Sequence, residues 1–301
     1  MEAEAFLRLN VYDDNLGPDD AVGGVGLDEQ WVALGGAFGK VYAGVKDSIN
    51  KSLHNQPIDY GIGSGDVNIW VIKPAFSSSP SSNILQGARD RTSFEVIADT
   101  IPMVGYISPQ LGGFQLGLTY APNPGTLGTN SNTATSPTNH WDVTLAYAHE
   151  FQGISIGFDG GYGTQNLTPA NGDKVKAWNM GLQLGYAGFT LGASVLQTRF
   201  PGAFVNDGHG WNAGLAYANG PWGISYTYFQ EQRRGSAAGK NELFQTHLLS
   251  GKYALGPGVD LKSSLFHGAF SGEGAFSGEN RDADSQNTSG YGLVSGFDVS
   301  F

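Results

Sequence analysis

The chain has 301 residues, of which 46 are glycine, 12% are aromatic and only 14% are charged, and it contains no cysteine. Ordinary globular chains have about 7% glycine and about 25% charged residues. With 40% hydrophobic residues and no apolar stretch of about 18 residues, a bundle of membrane helices is excluded. The formal net charge of −11 argues against nucleic acid as a partner.

Apolar and polar residues alternate along most of the chain, and this pattern predicts β-strands with one apolar face. In chain order, the first strands are predicted at about 3–12, 28–35 and 39–47. The segment 48–101 comes next and is far longer than any other connection. Loops beyond about 12–15 residues without secondary structure of their own tend to be functional or disordered.

Beyond this segment the alternation becomes clearer, for example where Trp141 and Val143 oppose Asp142 and Thr144. Aromatic residues lie at both ends of the apolar faces, as a membrane-spanning sheet requires at its two interfaces. The remaining strands of this single domain, which spans 1–301 and has about fourteen in all, are predicted at 102–108, 113–121, 140–151, 153–164, 174–187, 188–199, 209–219, 221–233, 242–255, 258–270 and 289–301.

The last predicted strand alternates from Tyr291 to the aromatic Phe301. Very short turns, such as Gln152-Gly153, interleave with long polar loops along the whole chain. Short turns on one rim and long loops on the other are the layout of a transmembrane antiparallel β-barrel. The pattern therefore predicts an all-β barrel in the Gram-negative outer membrane, and it argues against a β-sandwich, which has no reason to sort its loops.

Three segments resemble the trimeric general diffusion porins of Gram-negative bacteria, of the alphaproteobacterial type. They are the hairpin 28–47, the hairpin 106–120 and the terminal strand, whose final phenylalanine serves as an assembly signal in that family. The resemblance implies a barrel of sixteen strands that assembles as a homotrimer in outer-membrane lipid. This chain shows about fourteen strands, so either fourteen close on themselves or another segment or chain completes the wall.

In the resembling family the third loop folds inward and narrows the pore, which assigns that role here to 48–101. Opposed charges at the narrowest point would orient dipolar solutes. The candidate constriction acids are Asp59, Asp66, Asp90, Glu95 and Asp99. The candidate bases are Arg8, Lys40 and Lys46 on the wall, by strand parity, and Arg89 and Arg91 in the loop.

The function expected is passive diffusion of small hydrophilic solutes and ions through a water-filled channel, with a weak preference for cations. A substrate-selective channel would show lumen aromatics along one path, and a non-channel scaffold barrel is a further alternative. An enzyme is not expected, because no Ser/His/acid constellation can be assembled at one rim, and no cofactor is expected. Glu279, Asp282 and Asp284 could bind Ca²⁺, but they lack the spacing of an EF-hand loop.

Overall fold

The structure, a computed structural model, describes residues 1–11, 25–61, 92–98, 100–124, 138–167, 173–200, 207–234, 241–272 and 288–300. These ranges contain fourteen β-strands, and their ends lie within three residues of the predicted bounds. The strands are β1 (Glu2–Val11), β2 (Val25–Gly36), β3 (Gly39–Lys46), β4 (Ile101–Ile107), β5 (Phe114–Ala121), β6 (Thr138–Phe151), β7 (Ile154–Asn166), β8 (Lys174–Tyr186), β9 (Phe189–Arg199), β10 (Gly208–Asn219), β11 (Trp222–Arg234), β12 (Asn241–Gly256), β13 (Val259–Gly272) and β14 (Thr288–Val299). Phe301 lies outside the described residues.

All fourteen strands belong to one antiparallel sheet, in which each strand pairs with its neighbours in sequence order. Within the described ranges β1 pairs with β2 alone and β14 pairs with β13 alone, so the sheet is not closed there. The fourteen observed strands confirm the prediction of about fourteen.

The two faces of the sheet differ as the alternation predicted. On β8, the side chains of Trp178, Met180 and Leu182 are 41%, 58% and 40% exposed, whereas Ala177 and Asn179 are each 1% exposed. We call the apolar, exposed face the outer face and the opposite one the inner face. An exposed apolar face across many strands suits contact with lipid, not with water.

Aromatic pairs lie near both ends of the outer face. Phe189 and Tyr217 pack with ring centroids 4.5 Å apart close to the short turns. Trp141 and Tyr162 pack at 5.8 Å near the opposite rim. Amphipathic rings prefer the level of the lipid headgroups, so these pairs mark the two edges of an apolar band.

The connections are sorted between the rims, which confirms the loop-length prediction. On one rim, five connections have two residues and the sixth spans 108–113. The turn at Gln152 and Gly153 has φ values of 51° and 78°, the left-handed geometry that suits two-residue hairpins between twisted strands. On the other rim every connection has at least six residues, and the longest runs from 47 to 100.

The described part of that connection contains a short helix, α1 (Ile49–Leu53), and a 3-10 turn at Phe94–Val96. The Ser48 hydroxyl caps α1 by accepting a hydrogen bond from the Asn50 backbone N–H at 3.1 Å. No helix among the described residues is long and apolar enough to cross a membrane.

Candidate functional site: the loop on the inner face

Residues 47–61, which we call the inner strap, lie flat against the inner face of the sheet. At the start of the strap, Ile49 and Leu53 occupy the space above Gly105 on β4 and Gly117 on β5. A Cβ added at Gly105 would lie 2.7 Å from Ile49 Cγ1, and one at Gly117 would lie 2.6 Å from Leu53 Cδ1. Any larger residue at these two glycines would therefore force the side chains of Ile49 and Leu53 to shift.

The same relation continues along the strap. Pro57 lies so close to β9 that a Cβ added at Gly192 would lie 2.6 Å from Pro57 Cα. The strap then reaches β11, where the Tyr60 backbone N–H donates to Ser225 Oγ at 2.9 Å. The glycines that line its course, here called the glycine track, are Gly105, Gly117, Gly157, Gly181, Gly192, Gly214 and Gly223.

Asn50 is the centre of a buried hydrogen-bond network that joins two parts of the loop, the inner strap and the returning arm at 92–98, to the wall. Its Nδ2 donates to Thr144 Oγ1 at 2.7 Å and to Asn179 Oδ1 at 3.1 Å. Its Oδ1 accepts from Asn179 Nδ2 and from the Phe94 backbone N–H, both at 2.9 Å. Asn50 is 0% exposed, so losing the amide would leave these buried groups without a partner.

A second anchor joins His54 to β7. His54 Nδ1 lies 2.8 Å from Asp159 Oδ2, and its Nε2 lies 2.9 Å from Thr92 Oγ1 in the returning arm of the loop. Asp159 Oδ1 also accepts from the Asn55 backbone N–H at 2.6 Å and from Asn55 Nδ2 at 3.0 Å. The buried carboxylate thus has partners on both oxygens, as a buried charge requires.

A third anchor lies beneath the N-terminus of α1. Ser48 Oγ donates to Asp142 Oδ2 at 2.7 Å, and His140 Nε2 lies 2.8 Å from the same oxygen. The Ile49 backbone N–H donates to Thr119 Oγ1 at 2.9 Å. The first turn of α1 is therefore fixed to β5 and β6 by side chains of the inner face.

Lys51 joins two acids of the loop. Its ammonium lies 2.6 Å from Asp47 Oδ2 and also contacts Glu95. Burial opposes ionisation of Asp47, but hydrogen bonds from Lys51 and from the Thr100 backbone N–H outweigh it and hold the Asp47 pKa well below its ordinary value. Burial lowers the Lys51 pKa, but Glu95 and Asp47 more than reverse this and raise it.

Two of the five predicted constriction acids lie within the described residues, and both are held against protein groups. Asp59 Oδ1 accepts from the Gly61 backbone N–H at 2.8 Å and from Ser225 Oγ at 3.4 Å. Glu95 is 7% exposed and accepts from Ser93 Oγ at 2.9 Å. The other predicted loop charges, Asp66, Asp90, Asp99, Arg89 and Arg91, and the calcium candidates Glu279, Asp282 and Asp284 lie outside the described residues.

The predicted wall bases Arg8, Lys40 and Lys46 each contact an acid of the wall. Arg8 Nη1 and Lys46 Nζ lie 3.4 Å and 3.9 Å from the carboxylate oxygens of Glu29 on β2. Lys40 Nζ lies 2.7 Å from Glu4 Oε1 on β1. The structure therefore brings these bases together with acids of their own sheet, a pairing that strand parity alone did not predict.

Aromatic residues occupy the inner face in two separate places. Near β1–β3, Trp31 and Tyr42 pack edge to face at 5.3 Å, and Lys46 Nζ lies 5.4 Å above the Trp31 ring. On β11–β13 there is a buried apolar patch formed by Phe229, Phe244, Leu248 and Phe266.

The anchors Asn50, His54, Asp159 and Asn179 were missed by sequence analysis because no motif contains them. A usable signal was present in the glycines, which recur at inner-face positions of successive strands and leave room for a second layer of chain. The arrangement can position a loop and shape a passage. Among the described residues no group of three or more His, Asp or Glu side chains is placed to hold a metal ion.

An antiparallel sheet with an apolar outer face, aromatic edges, sorted loops and a long loop on its inner face defines an outer-membrane β-barrel of the porin class. The chain matches the Gram-negative porin family over residues 1–273, and it belongs to that family. Its location is therefore the Gram-negative outer membrane.

Comparisons with individual proteins agree on the fold. An anion-selective porin from Comamonas acidovorans is 18% identical, with a TM-score of 0.61 over 99% of this chain and 84% of that one. The trimer form of OmpT, an outer membrane protein of Vibrio cholerae, is 10% identical, with a TM-score of 0.54 over 92% and 82% of the two chains. An uncharacterized protein of Rickettsia bellii is 24% identical over 262 residues, and the match covers 68% of this chain but only 59% of that protein's length.

Proposed function

We propose that the protein forms a water-filled channel through which small hydrophilic solutes and ions diffuse passively, without catalysis. The observation that carries this proposal is the inner strap, which lies flat along the glycine track and is held by buried hydrogen bonds. A loop held against the wall narrows a passage without filling it. A scaffold barrel has no need for such a loop, since small barrels are filled by their own side chains.

The channel is proposed to prefer cations weakly. The inner bases Arg8, Lys40 and Lys46 contact wall acids, which reduces their field at the pore axis. The chain as a whole carries a net charge of −11. Since exposed charges in a wet passage are screened beyond about 8 Å at physiological salt, the preference should fade as salt rises.

Single-channel recording in planar bilayers under a salt gradient tests both statements. Neutralising Asp90, Glu95 and Asp99 together should lower the cation-to-anion permeability ratio, and neutralising Arg8, Lys40 and Lys46 should raise it. As a control, neutralising Glu150 and Asp173, which are exposed near the rims, should leave the reversal potential unchanged. Absence of any conducting events would refute the channel, whereas identical reversal potentials in both triple variants would refute only the charge account.

A substrate-selective channel is the second candidate, and the inner aromatic residues favour it. Trp31 and Tyr42 lie on β2 and β3, however, while Phe229 and Phe244 lie on β11 and β12. A selective channel needs aromatic residues along one path, and two patches on distant strands do not make one. Liposome swelling with a series of sugars would separate the two candidates, because a diffusion channel ranks solutes by size alone.

A homotrimer is proposed as the assembly. Small residues on an outer face suit close packing against a neighbour, and Gly36 at the end of β2 is one of them, whereas Ala33, Gly35 and Gly44 lie on the inner face. The described outer face there also exposes small Ala43 beside Val32 and Leu34. Mass measurement in mild detergent should give three copies, and a monomer under all mild conditions would contradict the trimer while leaving the channel proposal intact.

A further inference from the structure

The outer face of β11–β14 carries a row of ring side chains that runs from the middle of β11 to within three residues of the long-loop end of β14. Tyr228, His247, His267 and Tyr291 are direct cross-strand neighbours in register. The ring centroids of successive members are 4.8, 6.0 and 4.4 Å apart. The Tyr226 hydroxyl lies 2.7 Å from His247 Nδ1 and so orients that ring. We call Tyr228, His247, His267 and Tyr291 the imidazole row.

The imidazole row divides polar from apolar surface. On the loop side, Gln245 Nε2 donates to the Tyr228 hydroxyl at 2.8 Å. On the other side, Leu249, Leu265 and Leu293 are 45%, 49% and 72% exposed. Long loops lie on the extracellular side of such barrels, and the outer face changes from apolar to polar toward those loops at this row, which places the row at the level of the outer-leaflet headgroups. The Tyr228 hydroxyl donates to Gln230 Oε1 at 2.9 Å, so the groups of the row that can donate to phosphate oxygens are the two imidazoles and the Tyr291 hydroxyl.

A cavity of about 440 Å³ opens on the same outer face within the apolar band. Its floor includes Gly251 and Ser263, and its walls include Leu249, Leu265 and Leu293. The cavity exists because side chains are small in one register row, where Gly251 pairs with Ser263 and Ser263 with Ser295. Ser263 Oγ and Ser295 Oγ are 2.7 Å apart, so these hydroxyls are satisfied within the sheet.

Gly251 is not required to be glycine by its surroundings. A Cβ added there would contact only the Gly223 carbonyl oxygen, at 3.7 Å. The small residue therefore leaves the cavity open without being needed for the fold of the strand. The cavity row lies four residues along each strand from the imidazole row, a separation of about 13 Å.

From these two features we propose that the outer face of β11–β14 binds one phosphate-bearing lipid of the outer leaflet. The imidazole row holds the phosphate, and an acyl chain fills the cavity below it. A groove that faces the membrane interior must be filled by apolar groups. The donors of the imidazole row lie about 13 Å along the strands from the cavity, on its extracellular side, as the phosphate of a lipid lies on the headgroup side of its acyl chains. The polar and apolar parts of the site thus match the two parts of one amphipathic molecule.

Native mass spectrometry of the detergent-solubilised protein tests this site, with dimyristoyl phosphatidic acid and dimyristoylglycerol as probes. His247→Phe/His267→Phe should lower phosphatidic acid binding by about tenfold, because one or two hydrogen bonds to a charged oxygen are lost. Binding of dimyristoylglycerol, which lacks phosphate, should not change in that variant. Gly251→Leu fills the cavity and should lower the binding of both lipids.

Matched controls are His149→Phe, an exposed outer-face histidine near the short turns, and Ala193→Leu, an exposed outer-face alanine on β9. Both should retain the parent's lipid binding, and inorganic phosphate should not compete with phosphatidic acid. Equal binding of phosphatidic acid by the parent and both site variants would overturn the proposal. A change in the number of protomers in Gly251→Leu, with lipid binding unchanged, would also overturn it, since a second copy would then be the occupant.

Discussion

Replacing Asn50 with alanine is the sharpest perturbation of the inner strap. The substitution removes four hydrogen bonds, two that the amide donates and two that it accepts, at 2.7–3.1 Å. At about 0.5–1.5 kcal/mol net for each bond, the docked loop should lose about 2–6 kcal/mol relative to the undocked one. Even the lower value changes the ratio of docked to undocked loop by about thirtyfold.

The sheet itself should be unaffected, because Asn50 supplies no hydrogen bond to the strand ladder. We therefore expect Asn50→Ala to show a noisier and larger single-channel conductance and faster tryptic cleavage after Lys51, while the thermal unfolding of the barrel stays unchanged. Asn219→Ala, in an exposed position at the short-turn rim, is the matched control. If Asn50→Ala kept the parent's conductance and protease resistance, the network would not be what holds the loop.

Two further predictions follow from the faces of the sheet and from the ion pairs of the loop. Leu182→Arg, on the outer face, should lower the free energy of unfolding in lipid vesicles by about 2–4 kcal/mol, whereas Gln183→Arg on the inner face should cost much less; equal losses would contradict the assigned faces. The lowered Asp47 pKa means that its contribution to loop docking is complete above the unfolded pKa of about 4 and is lost only as pH falls further. The raised Lys51 pKa means that its contribution is complete below about pH 10 and is lost above that. The contribution of the ion pair, measured as the difference in loop protection between the parent and Lys51→Met, should therefore be constant from about pH 5 to pH 9, and a midpoint of that difference inside the window would contradict the ion-pair account.

The strands and their faces could be predicted from sequence because alternation is a local property. Trp178 and Asn179 are adjacent, and their opposite exposure follows from the period of two alone. Loop lengths are equally local, and their sorting between rims followed directly. A strand's neighbours were also predictable, since each short turn forces an antiparallel hairpin.

The site was less predictable because its contacts are distant in sequence. Asn50 and Asn179 are 129 positions apart, and nothing in either neighbourhood indicates the other. Parity placed Arg8 and Lys46 on the inner face, but their shared partner Glu29 depends on the register between β1, β2 and β3. The charges alone suggested that loop acids and wall bases face one another across the pore. The strand register instead pairs these wall bases with an acid of the wall.

The course of the inner strap has a consequence for the order of assembly. Its contacts begin at β4 and end where Gly61 meets Ser250 on β12 and Ser264 on β13. The strap is synthesised before all of these strands, yet its last contacts do not exist until β13 has joined the sheet. We therefore expect the passage to narrow as a final step of folding. Pulse proteolysis with chymotrypsin during refolding should show barrel protection ahead of protection at Tyr60, whose partner Ser225 lies on β11, and simultaneous protection would contradict this order.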